Sequence, residues 1–138
     1  MKYVCVGQIG IPPAAAAHAS LPLTRDSVWK HVERILANPL FARSERLCRF
    51  VRFSVGLTLE GRAEELNESL LGVHVFDRGA TFDPTDDAIV RVEAHRLRFK
   101  LSQYYKNAGR NDRLLIRYPT GCYTPVFRER GRNLWNTN

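Results

Sequence analysis

The sequence predicts a mainly α-helical domain closed by a C-terminal β-hairpin, and three observations predict it. Between residues 26 and 107, four stretches repeat apolar residues at the i, i+3, i+4, i+7 spacing of amphipathic helices. From Arg113 to Tyr118 the pattern changes to strict alternation, the period of a strand with one buried face. Residues suited to caps and turns separate these stretches. With 138 residues, 44% apolar and 25% charged, the chain has the size and composition of one globular domain.

The first helix is expected to take Asp26 or Ser27 as N-cap and to run to about residue 37. Val28, Val32, Ile35 and Leu36 share one face, with Trp29 at its edge, and Asn38-Pro39 stops it. Ser44 caps a second helix that continues to about residue 60, before Gly61. Its stripe is Leu47, Phe50, Val51, Val55 and Thr58, widened by Phe53 and Leu57, while Arg46, Arg49 and Arg52 decorate its solvated side. A third, short helix spans about 64–75, with Leu66, Leu70, Val73 and the later Phe76 as its apolar side. A turn over 77–82, anchored by Phe82, forms a tight connection to the next element.

The fourth helix, about 84–107, carries the clearest start signal. Asp83 suits the cap, Pro84 the first helical position, and Asp86 and Asp87 the positive end of the dipole. Val90, Ala94, Leu97, Leu101 and Tyr104 form an unbroken core stripe, and Gly109 closes the helix. Residues 113–118 and 122–127 read as a hairpin. Pro119 is expected at the second position of a type I turn, and Gly121 at positive φ. One core is expected from Leu47, Phe50, Val51, Leu70, Val90, Ala94, Leu97, Leu101 and Ile116. The domain organisation is an N-terminal arm over 1–25, in which 3–6 is strand-like, a domain over 26–127, and a polar basic tail over 128–138. Four helices followed by a hairpin, the last helix long and basic, describe a winged helix-turn-helix.

Charge points the same way. The net charge is +7, yet residues 26–85 hold 8 basic against 9 acidic side chains, and residues 86–138 hold 11 against 5. An excess gathered in the last third suits a polyanion partner. Cys5, Cys48 and Cys122 lie far apart without paired spacing, which predicts reduced thiols and a cytoplasmic protein. No apolar run reaches the length of a membrane-spanning helix. Asp83, Asp86, Asp87 and Glu93 gather near one helix start, but capping accounts for the aspartates. The histidines at 18, 31, 74 and 95 lack ligand spacing. Neither a phosphate-binding glycine loop nor a nucleophile elbow occurs. The expectation is therefore a protein that is not an enzyme and takes no cofactor or metal.

On the fourth helix, Arg91, His95 and Arg98 lie at i, i+4, i+7 on a face other than the core stripe, flanked by Arg96 and Lys100. Such a helix fits the major groove of DNA, where arginine reads guanine bidentately. Glu93 is read as a cytosine acceptor or, better, as a partner of Arg96 or Lys100. On the hairpin, Arg113, Arg117 and Thr120 are placed to follow a phosphate backbone.

These stretches resemble a known pattern. The run DDAIVRVEAHRLRFKL (86–101) is similar to the recognition helix of OmpR-type response-regulator effector domains. DRLLIRYPTGCY (112–123) is similar to their wing, and LNESLLGVHVF (66–76) to their positioning helix. Across about 27–127 the chain also resembles a bacterial winged-helix module found at the N-terminus of TolB-like and tetratricopeptide-repeat regulators. That likeness rests on FARSERLCRFVRF, LNESLLGVHVF, FDPTDDAIVRVEAHRLR and YPTGCYTPVF in order.

The OmpR likeness implies that Arg91, Glu93, His95 and Arg98 face DNA, with Arg117 and Thr120 in the wing. Two departures stand beside it: two helices replace the N-terminal sheet, and Pro119-Thr120-Gly121 lacks the basic residue usual before the wing glycine. The expected function is duplex DNA binding in transcriptional control, with a second copy or a separate sensory protein as further partner. The alternative is a protein-docking module on the same scaffold. RNA binding ranks lower, because the spacing of the tyrosines assigns most of them to the core.

Overall fold

The computed structural model describes residues 23–130. The expected strand-like stretch 3–6, the rest of the arm through residue 22, and residues 131–138 of the expected tail lie outside the described residues. Five α-helices precede a two-stranded antiparallel hairpin: α1 (Arg25–Leu36), α2 (Pro39–Ala42), α3 (Glu45–Leu59), α4 (Glu68–His74), α5 (Ile89–Lys106), β1 (Leu114–Arg117) and β2 (Val126–Glu129). Helices followed by a hairpin is the expected class, and the differences lie at the helix ends.

Helix α1 begins earlier than expected because Ser27 occupies the third helical position rather than the cap. Thr24 Oγ1 accepts from Ser27 N at 3.0 Å, and Thr24 N donates to Ser27 Oγ at 2.9 Å, a reciprocal capping box. Asn38-Pro39 ends α1 and also starts the unexpected α2. The Asn38 side chain accepts from Leu40 N at 2.9 Å with proline at the first position, and Phe41 is buried completely. Helix α3 runs as expected from its Ser44 cap to Gly61, whose φ of 80° suits a residue without Cβ.

The expected third helix is split. A 3-10 turn (Ala63–Glu65) comes first, and Asn67 then caps α4 by accepting from Leu70 N at 2.8 Å. This cap sets the phase: Leu66 and Phe76 are buried as expected and Leu70 partly so, but Leu71 is fully buried in place of Val73, which is exposed. Gly72 lies directly under the ring of Phe82, where a Cβ would overlap it, so the glycine lets the following connection pack on α4. That connection, 75–88, is long rather than tight.

Helix α5 starts at Ile89, not Pro84. Asp83 O accepts from Asp86 N and Asp87 N, both at 2.9 Å, but this closes only one turn. Asp87 Oδ1 then takes Ile89 N at 3.1 Å, while its Oδ2 binds Arg78 Nε at 2.8 Å. An aspartate that captures a nearby backbone N–H competes with helix formation. Asp83 accepts from Thr85 N and Oγ1, so it caps the turn and not the helix.

Val90, Ala94, Leu97, Leu101 and Tyr104 are all buried, as their spacing predicts. They pack with Leu47, Phe50, Val51 and Val55 of α3 and with Ile116 and Phe127 of the hairpin. Leu70 only borders this core. Burial of each large side chain contributes roughly 1.5–3 kcal/mol. Phe50 joins three elements, with Phe76 and Tyr118 edge-on at 5.9 and 5.8 Å.

The hairpin pairs Leu114 with Glu129 and Arg117 with Val126, so ordered structure extends past residue 127. Leu114, Ile116 and Tyr118 are buried and Arg113 and Arg117 exposed, as the alternation predicts. The turn sits one residue later than expected. Cys122 N donates to Pro119 O at 3.3 Å and Gly121 has φ 90°, so Pro119 opens a type II turn with glycine at its third position.

Cys48 is a free buried thiol, and Cys5 lies outside the described residues. No helix among the described residues is long and apolar enough to cross a membrane.

Candidate nucleic-acid interface

Helix α5 positions most of the expected residues, and its core stripe sets where each one lies. At about 100° per residue, Arg98 falls only a quarter-turn from Leu97, whereas Phe99 falls opposite it. The outward surface is therefore Val92, His95 and Phe99, with Lys106 further along; all four are exposed. Arg91 and Arg98 form one flank, Arg96 and Lys100 the other.

Each flanking cation has an internal partner. Arg91 Nη1 meets Glu68 of α4 at 2.6 Å, and its Nη2 donates to Pro84 O at 3.1 Å. Arg98 is half-buried against the hairpin. Its Nε donates to Tyr118 O at 2.8 Å, and its Nη2 to Pro119 O at 3.2 Å and Cys122 O at 3.0 Å. Burial lowers the Arg98 pKa, but an arginine remains protonated. Lys100 Nζ donates to Leu40 O at 2.9 Å and so ties α2 to α5. Glu93 departs furthest from its expected outward position, with only 3% of its surface exposed. It lies about 40° around the helix from Leu97, on the side of Arg96, accepting from Arg96 at 3.1 Å and lying 3.6 Å from Arg46 of α3. It is a strut between helices. Its pairing with Arg96 is the reading the sequence favoured.

Most other cations of the helical body are engaged in the same way. Arg34 meets Asp112 at 2.9 Å, Arg49 meets Asp77 at 2.9 Å, Arg52 meets Glu33 at 2.9 Å, and Arg78 meets Asp87 at 2.8 Å. Arg49 and Arg52 are thus engaged rather than freely solvated.

The hairpin differs. Arg113, Arg117 and Arg128 are exposed without a carboxylate or carbonyl partner among the described residues, as is Lys106 at the end of α5. Thr120 is exposed at the tip. Between the second half of α5 and β1 runs a groove of about 460 Å³, lined by Arg98, Ser102, Tyr105, Lys106, Arg117, Thr120 and Arg130 among others. A second groove of about 420 Å³, between α1 and β1, has Lys30, His31, Arg34, Asp112 and Arg113 in its walls. Lys30 and Arg43 are the remaining described cations without such a partner.

A buried polar cluster fixes the hairpin to the helices. Asp112 accepts from Tyr104 Oη at 2.7 Å as well as from Arg34. Tyr105 Oη accepts from Ile116 N at 2.9 Å and shares a hydrogen bond of 3.0 Å with His31 Nε2. Burial holds the His31 pKa below its ordinary value. Burial also pushes Tyr104 up to about 12.

Sequence reasoning missed Val92, Phe99, Lys106, Arg128 and Arg130. The signal was present for the first three, because stepping half a turn from Leu97 reaches Phe99. No protein-family model, curated protein or solved structure matches the chain.

Proposed function

We propose that the chain is a duplex-DNA-binding domain of the winged helix-turn-helix class. In this reading α4 and α5 form the helix-turn-helix, α5 lies in the major groove as recognition helix, and the hairpin is the wing along the backbone. Its particular role is transcriptional regulation, as in the OmpR-type and TolB-associated modules that its motifs resemble.

One observation carries the proposal. Cations of the helical body are largely matched internally, while Lys106, Arg113, Arg117 and Arg128 gather without partners on the hairpin and the adjoining helix end. Unmatched guanidinium and ammonium groups beside a groove are what a phosphate backbone neutralises. Arg98 serves this surface by fixing the wing to α5, and not as a base reader.

Titration of a nonspecific duplex at several salt concentrations tests the proposal. The expected log–log slope is about −4 to −5, corresponding to roughly four to six neutralised phosphates. Undetectable affinity at about 50 mM salt would remove it. Val92 and Phe99, 51% and 61% exposed, favour a second reading, a protein-docking face. Salt-insensitive capture of a protein partner without duplex affinity identifies that case.

A further inference from the structure

The outward face of α5 says what such a recognition helix would read. Val92 and Phe99 stand seven residues apart, about 10 Å along the helix axis, with His95 between them. That span covers roughly three base pairs at 3.4 Å each. The forks that read guanine are held elsewhere: Arg91 on Glu68 and Pro84 O, Arg96 on Glu93, and Arg98 on three hairpin carbonyls. Turning Arg91 or Arg98 toward a base edge breaks a contact that holds two elements together, and turning Arg96 away takes from the buried Glu93 its hydrogen-bond donor. What the helix offers at its apex is apolar surface. In the major groove, the apolar group on an unmodified base edge is the C5-methyl of thymine.

We infer that Val92 and Phe99 are the specificity-determining residues, and that they select sites by thymine methyl groups about three base pairs apart rather than by guanine contacts. The inference rests on the DNA-binding reading. Charge favours DNA over a second copy as the occupant of this face. Lys106 continues the Val92–Phe99 line and Arg96 flanks it, so two copies meeting there would bring like charges together.

The test uses the full chain. A duplex selected from random sequence is compared with copies in which single thymines are replaced by deoxyuridine, which removes only the methyl. Wild type should lose about fourfold at each of two positions, the effect of burying one methyl group. Val92→Ala and Phe99→Ala should each abolish the penalty at one position and leave scrambled-duplex affinity and its salt slope unchanged. Both residues are exposed, so the variants should fold, and circular dichroism checks this.

Equal binding of thymine and uracil duplexes overturns the inference while leaving DNA binding in place, as does salt-dependent binding without any enriched sequence. A concentration-dependent dimer that Phe99→Ala dissolves overturns it in favour of a self-association face. Failure of every duplex removes both readings together.

Discussion

The helical body and the hairpin end of this molecule both carry many cations and use them differently. In the body, Arg34, Arg49, Arg52 and Arg91 each hold a carboxylate from another element or loop, Arg78 holds Asp87 within the 75–88 connection, and Glu93 joins Arg46 to Arg96. At the hairpin end, Lys106, Arg113, Arg117 and Arg128 face solvent without such partners. Arg98 lies at the boundary, a helix cation engaged by hairpin carbonyls. The contrast separates basic residues that hold the fold from those free to meet a polyanion, a distinction net charge cannot make.

The contrast is broken most severely at its boundary. Arg98→Ala removes charge-assisted hydrogen bonds to three carbonyls and should destabilise the domain by about 2–3 kcal/mol in denaturant titration. Its loss of duplex affinity should be the same on selected and scrambled sites. A selective loss on the chosen site would return Arg98 to the bases.

Glu93→Gln should cost about 1–2 kcal/mol, since it leaves Arg46 and Arg96 without their shared carboxylate, but both arginines stay partly in water. Unchanged stability would mean that the pairing between α3 and α5 is incidental.

The third test concerns pH. His31 is held neutral in the fold with its pKa below the ordinary value near 6.5, mainly by burial. The unfolded chain therefore binds the proton first. The contribution of His31 is fully present above about pH 6.5 and is lost as pH falls through its lowered folded value. Thermal unfolding between pH 7 and 5 should show this decline, and His31→Gln should flatten it. A stability that rises on acidification contradicts the lowered pKa.

The smallest effect on folding should come from the hairpin. Arg117→Ala should change stability by no more than about 0.5 kcal/mol. It should also make the salt slope shallower by about one. A large loss of stability with an unchanged slope would place Arg117 among the structural cations.

Much of the fold was legible. The stripes of α3 and α5 and the alternation of β1 depend on residues close in sequence, and the structure buries them as their periods require. Helix starts were less legible where two signals overlapped. Asn38-Pro39 serves as both stop and start, and Asp87 draws Ile89 N away from the turn that Asp83 opens. Of the expected interface, Arg113, Arg117, Thr120 and His95 are exposed, Arg91, Arg96, Arg98 and Lys100 are engaged internally, and Glu93 is buried.

The sequence by itself determined the element types, the buried face of each long helix and the gathering of positive charge in the last third, because all three are set by neighbours along the chain. Only the tertiary structure decided which cations remain available. Arg34 finds Asp112, Arg49 finds Asp77, and Arg98 finds the Tyr118 and Cys122 carbonyls across separations of 78, 28, 20 and 24 residues. No local pattern encodes those meetings, since folding must first bring the partners within hydrogen-bond reach.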